Sequence, residues 1–77
     1  MRRFTFETRE YEFSHGRRPR GDGCWAFKLV AVFGQDGVDL NQVYYASGTL
    51  GEAKRKFERQ IRQEYAHCSH VIAKVLP

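Results

Sequence analysis

The residues best suited to chemistry with a partner lie in the segment 15–23, which reads "HGRRPRGDG". Its arginines could hold phosphate or carboxylate groups, because a guanidinium presents paired N–H donors that match two anionic oxygens. Its glycines would let backbone N–H groups approach the same anion. Pro19 fixes its own φ, which reduces the ordering that binding requires. The segment predicts an anion-facing loop whose binding residues are His15, Arg17, Arg18, Arg20, Gly21 and Gly23. The alternative is a solvated loop whose arginines only maintain solubility.

A second basic set lies further along the chain, at spacings typical of one helix face. Arg55, Arg59 and Arg62 are separated by four and three residues and could follow a nucleic-acid backbone. Glutamates are interleaved with them, and Glu58 precedes Arg62 in the favourable i, i+4 order. The alternative interpretation is therefore an ordinary solvated helix face.

Histidines and cysteines raise the question of a metal site. The set comprises His15, Cys24, His67, Cys68 and His70. A structural zinc site needs four ligands, and the usual C-x2-C spacing is missing. We therefore expect no metal and no cofactor, although the sequence leaves open whether these residues ever bind one.

Catalytic motifs are missing from the sequence in the same way. A Cys–His nucleophile pair would need a third, orienting group, and none is evident. The sequence has neither a G-x-S-x-G motif nor a phosphate-binding loop. We therefore expect a protein that is not an enzyme.

Composition limits the class of protein. The 77 residues are enough for one small domain, 1–77, with a thin core. The net charge of +4 favours nucleic acid, a nucleotide or an acidic protein surface as the partner. Two cysteines, a charged N-terminal stretch and no long apolar run predict a cytoplasmic location and no contact with a membrane.

The first half of the sequence predicts three strands. Residues 3–13 alternate in polarity like a half-buried strand, with a phase change near Arg9 and Glu10 that indicates a bulge or a strand end. Residues 24–33 are almost continuously apolar and predict a buried central strand. The following "GQDG" is typical of a hairpin turn, after which residues 38–46 would form the returning strand.

The second half predicts a helix and a last strand. Thr49 and Glu52 form a capping-box pattern, and apolar residues recur every three or four positions over about 16 residues. The C-terminal "HVIAKVLP" reads as a strand. The predicted order is β-β-β-α-β, an α+β fold in which one amphipathic helix covers one face of an antiparallel sheet of about four strands.

One face of such a sheet stays uncovered. That face must bind a partner, form a homodimer or be covered by the N-terminal strand and loop. The sequence also has many aromatic residues in its predicted strands. We expect most of them in the core, and the alternative is an exposed surface on which nucleic-acid bases stack. The aromatic residues in question are Tyr11, Trp25, Phe27, Tyr44 and Tyr45.

The stretch "FSHGRRPRGDGCWAF" resembles a run in small phage and prophage proteins that have no established activity. Their pattern is H-G-x-x-P-R-G-x-G-x-W-A-F, followed by a segment like "YASGTLGEAKRKF" and an apolar C-terminal strand. The matching residues are His15, Gly16, Pro19, Arg20, Gly21, Gly23, Trp25, Ala26, Phe27, Gly48, Glu52, Ala53 and Lys54. The resemblance implies an accessory protein of a mobile element that acts in the host cytoplasm. Such proteins often occupy a host surface, as inhibitors of CRISPR effector complexes do.

Together these features predict a non-enzymatic binding protein that acts by stoichiometric occlusion. Its partner would be a host protein or a protein–nucleic-acid complex with an acidic or phosphate-bearing surface, contacted through the basic loop. The alternative is a small domain that binds nucleic acid directly or sequesters a nucleotide.

Overall fold

A computed structural model describes residues 3–77. The elements are β1 (Arg3–Glu7), α1 (Arg9–His15), β2 (Asp22–Phe33), β3 (Val43–Thr49), α2 (Leu50–Glu64) and β4 (His70–Val75). The strands form one sheet in the order β1-β4-β2-β3. The predicted α+β class is confirmed, and so are the positions of α2 and β4 near the C-terminus.

The element order is β-α-β-β-α-β, because the predicted first strand is cut short. It ends at Glu7, and a short helix, α1, follows from Arg9 to His15. Tyr11 and His15 are one helical turn apart and their rings stack at 4.1 Å between centroids, which brings both to the same side of α1. The phase change in the sequence therefore marks the end of the strand, and a second helix replaces its continuation.

The sheet is mixed rather than antiparallel throughout. The last strand, β4, lies between β1 and β2, parallel to β1 and antiparallel to β2. The central strand β2 also pairs with β3 in the antiparallel sense. Because α1 and the basic loop separate β1 from β2, these two strands do not form a tight hairpin, and β4 pairs with both.

The expected strand 38–46 begins only at Val43, so residues 34–42 form a longer connection instead of a tight turn. Hydrogen bonds to side chains occupy this backbone: the Asn41 N–H donates to the nearby Asp39 Oδ1 at 2.9 Å, and the Asp39 N–H donates to the Tyr65 hydroxyl at 3.4 Å. Short polar side chains that bond to nearby backbone compete with strand pairing.

The core lies between α2 and one face of the sheet. Ala53, Phe57 and Ile61 face inward from α2 at helical spacing. Phe57 packs against Phe27 at 5.0 Å and against Tyr44 at 5.4 Å between ring centroids. This layer of aromatic side chains joins α2 to one face of the sheet. The opposite face of the sheet is not covered by α2.

The capping box predicted at the start of α2 is present. The Glu52 N–H donates to Thr49 Oγ1 at 3.2 Å, and the Thr49 N–H donates to Glu52 Oε1 at 3.0 Å. The hydrogen bond from the Thr49 N–H lowers the pKa of the Glu52 carboxyl, because it favours the charged form, and the Thr49 side chain lowers it further. Two N–H groups at the helix end are satisfied in this way.

Thr49→Ala is expected to lower the free energy of unfolding by about 1 kcal/mol, since the cap then leaves an N–H of α2 without its acceptor. Urea denaturation followed by circular dichroism measures the change. Ser47→Ala is the matched control, because it removes a hydroxyl from the preceding exposed stretch of β3 without touching the cap. Equal stability of wild type and Thr49→Ala would show that the capping box contributes nothing.

Candidate functional site

The basic loop connects α1 to β2, not two strands. Gly16 ends α1 in the left-handed region, with φ of 68°, and its N–H donates to the Glu12 carbonyl at 2.8 Å. Gly21 has φ of 89°, a value that glycine adopts without strain, immediately before β2 begins. Gly23 lies within β2, where it pairs with Gly48. The backbone therefore turns at 16 and again at 21, and the arginines lie between these turns.

The arginine side chains of the loop point into solvent. Arg17, Arg18 and Arg20 are all exposed. Within residues 3–77, the two ion pairs are Arg62–Glu58 and Lys74–Glu10, and neither involves the loop. The guanidinium groups therefore keep their hydrogen-bond donors available for a partner, as the sequence analysis requires.

A cleft of about 360 Å³ lies beside the loop. It brings together His15, Arg17, Arg20 and Gly23 from the predicted site, whereas Arg18 and Gly21 do not line it. Its remaining lining comes from α1, the start of β2 and the end of β4: Tyr11, Asp22, Cys24, Trp25, Ala26, Leu76 and Pro77. Two arginines and a histidine therefore line one concave surface together with Asp22.

The floor of the cleft is anchored in the core. The Tyr11 ring lies 5.7 Å from the Trp25 ring, and the Trp25 indole N–H donates to the Gly48 carbonyl at 3.1 Å. His15 stacks on Tyr11. The imidazole is therefore positioned by buried aromatic packing, while the arginines are carried by loop backbone. Chemically, this arrangement suits binding of an anion by an imidazole stacked on Tyr11 and by exposed guanidinium groups.

The basic residues of α2 do not join the cleft. Arg62 pairs with Glu58 at 3.5 Å, and its guanidinium carbon lies 5.5 Å from the centre of the Phe4 ring. Arg55 and Arg59 are exposed. Of the three arginines predicted to share one helix face, Arg62 therefore contacts other side chains of the fold, whereas Arg55 and Arg59 remain in solvent.

The histidines and cysteines are dispersed. Among residues 3–77, no three His, Cys, Asp or Glu side chains group in a way that could hold a metal ion. Cys68 is buried, and His70 hydrogen bonds through Nε2 with Thr5 Oγ1 at 3.0 Å. Cys24 is exposed at the rim of the loop cleft.

The aromatic residues divide as the core interpretation predicts, with one exception. Tyr11, Trp25, Phe27 and Tyr44 are buried, whereas Tyr45 is 70% exposed. Burial raises the pKa of the Tyr44 phenol, and the neighbouring Glu64 carboxylate raises it further. Four of the five aromatic residues therefore lie in the core, as expected, and the structure shows that Tyr45 is the exposed one.

Two cations were not among the predicted binding residues. Lys28 and Lys74 lie directly opposite each other on β2 and β4. Each interrupts an apolar strand pattern, which was a usable signal, because a lysine between buried positions of a central strand must face the uncovered side of the sheet.

Comparison with family models, with curated proteins and with solved structures gives no match to this chain. Among the described residues, neither helix combines the length and the apolar character needed to cross a bilayer. The chemistry of the cleft and of the exposed surfaces is therefore the basis for assigning a function.

Proposed function

We propose that this chain is a non-enzymatic binding protein that holds a phosphate- or carboxylate-bearing surface in the loop cleft. One observation carries the proposal: Arg17, Arg20 and His15 line a single cleft, and no carboxylate in residues 3–77 forms an ion pair with either arginine. Unpaired guanidinium groups on a concave surface attract anions and bind them with paired hydrogen bonds.

The loop is built to adapt to a partner without reorganising the fold. Among residues 3–77, its guanidinium groups form no ion pair that binding would have to break. The cleft floor of Tyr11 and Trp25 is buried and stays in place. Binding therefore costs mainly the ordering of the arginine side chains, about 0.5–1.5 kcal/mol for each one immobilised.

Stoichiometric occlusion is the mode of action that we propose. A chain of 77 residues with a thin core would act by covering a surface of its partner. The narrower proposal is an accessory protein of phage or prophage type that blocks a bacterial immune complex in the host cytoplasm. That narrower part rests on the resemblance to phage and prophage proteins alone.

Affinity capture from a bacterial lysate tests this proposal. The bait is the tagged chain, compared with Arg17→Gln/Arg20→Gln and with Arg55→Gln/Arg59→Gln, which removes the same charge from α2. We expect a stoichiometric partner that is retained by wild type and by the α2 variant but lost by the loop variant. Parallel capture after nuclease treatment distinguishes a protein surface from nucleic acid. Retention by the loop variant and loss by the α2 variant would contradict the proposal.

A further inference from the structure

The face of the sheet opposite α2 carries the strongest unexplained combination of charge and aromatic surface. Along β4, buried residues alternate with partly buried ones, and the partly buried set faces away from α2. Ile72 and Lys74 lie on this outer face from β4, and Lys28 lies on it from β2. Tyr45 faces the same side from β3.

Lys28 is a cation on this face that has no ion-pair partner among the described residues. It lies directly opposite Lys74, and like charges opposite each other on a sheet destabilise it. Lys74 is compensated, since its Nζ lies 3.1 Å from Glu10 Oε1 and its partner on β1 is Glu7. Lys28 forms no ion pair within residues 3–77. Its other cross-strand neighbour is Val43, so the ammonium is flanked by an apolar residue on one side and a cation on the other.

Tyr45 places an exposed aromatic side chain on the same face as Lys28. It is the residue diagonal to Lys28 across the β2–β3 pair, which separates the two by about 7–8 Å. Directly opposite Tyr45 is Ala26, whose small side chain does not cover the ring. A base stacked on the ring would therefore bring its own phosphate within reach of Lys28.

The outer face is continuous with the loop cleft. Ala26 and Leu76 line the cleft, and both lie in or next to the strands that carry the lysines. Arg17 and Arg20 stand at that end of the sheet. At the far end, the half-exposed Phe33 stacks with His70 at 5.6 Å between ring centroids. Cations and aromatic rings therefore follow β2 along its length.

We propose that this outer face binds single-stranded nucleic acid, with a base stacked on Tyr45 and a phosphate held by Lys28. The inference rests on the proposed function in one respect, because it takes the phosphate-bearing partner proposed there to be the nucleic acid that the adjoining sheet face binds. Single-strand binding sites combine a cationic path with aromatic rings, and stacking needs base faces that a duplex conceals. A second copy of the chain would instead place the same cations against each other.

The test is fluorescence anisotropy of a labelled oligothymidylate of about twelve nucleotides, measured at about 50 mM and about 200 mM salt. We expect Tyr45→Leu, which keeps the bulk but removes the ring, to weaken binding between about 5-fold and 150-fold. Tyr45→Phe should bind like wild type. Lys28→Gln should lower the salt slope by about 0.7, the loss of one phosphate contact on a single strand. Arg59→Gln is the comparator with the same change of charge.

The outcomes separate this inference from the proposed function. If Tyr45→Leu and Lys28→Gln bind the oligonucleotide like wild type, the sheet-face site is wrong, even where loop variants lose their partner. If the loop variant keeps the oligonucleotide and Tyr45→Leu loses it, the sheet-face site holds without a contribution from the loop, and the lysate capture alone decides the loop proposal. Failure of wild type to bind at low salt, or sedimentation as a dimer that conceals Tyr45, also overturns the inference.

Discussion

The Phe57→Ala variant is expected to lose about 3–5 kcal/mol of the free energy of unfolding. Phe57 is about 1% exposed and lies at the centre of an aromatic cluster. Its ring packs against Phe4, Phe6, Phe27 and Tyr44, at centroid distances between 5.0 and 6.4 Å. Truncation removes contacts to strands β1, β2 and β3 together. Because the cavity would border three strands, a shift of any one of them would not fill it.

This loss is large for a domain of this size. At about 0.05–0.15 kcal/mol per residue, a 77-residue chain has roughly 4–12 kcal/mol of stability in total. Urea denaturation followed by tryptophan fluorescence measures the effect. Phe13→Ala is the control, because Phe13 is 93% exposed and should change stability by less than about 0.5 kcal/mol. A Phe57→Ala variant as stable as Phe13→Ala would contradict the core described above.

The second large effect is expected from Arg17→Glu/Arg20→Glu in the loop. Each substitution changes the charge by two, so the formal net charge falls from +4 to 0. Reversed charge in the cleft repels an anion, and we expect affinity for the captured partner to fall by at least about 100-fold, equivalent to about 2.7 kcal/mol. Tm should stay within a few degrees of wild type, since neither arginine forms an ion pair with another residue in the range 3–77.

Arg55→Glu/Arg59→Glu is the matched control for the loop reversal. It produces the same net charge of 0 but places the change on α2, away from the cleft. If both variants lose affinity equally, the effect comes from the overall charge of the protein and not from contacts in the cleft. Unchanged binding by the loop variant would refute the assignment directly.

Local signals predicted the second half of the fold well. The Thr49–Glu52 capping box and the apolar stripe of α2 both act within a few residues, so the sequence specifies them without tertiary information. The β4 strand follows from the alternation of its apolar residues. Two alternatives remained undecided at the level of pattern: a bulge or a strand end near Arg9, and which strand β4 would join.

The first half was harder to predict because tertiary packing decides it. Tyr11 and Phe13 alternate like strand residues, yet Tyr11 is buried by the turn of α1 while Phe13 projects into water. The spacing of Tyr11 and His15 and the glycine at 16 were the available helix signals. The parallel pairing of β1 with β4 depends on residues more than 60 positions apart, which no local pattern specifies.

In the candidate site, too, the local features could be predicted from the sequence and the tertiary ones could not. Clustering in sequence is enough to place His15, Arg17 and Arg20 on one cleft, since they share a short connection. Helical spacing does not reveal that Arg62 is held by Glu58 and the Phe4 ring. The pairing of Lys28 with Lys74 follows from sheet register and therefore needed the structure.

The most direct test of the central claim is an NMR titration of the protein with pyrophosphate, which reports each arginine separately through its Nε–Hε signal. The outward-facing loop predicts saturable shifts at Arg17 and Arg20, accompanied by the Gly23 amide, that diminish as salt is added. Arg55 and Arg59 should shift little. Shifts confined to α2, or none at Arg17 and Arg20 at saturating pyrophosphate, would contradict the account.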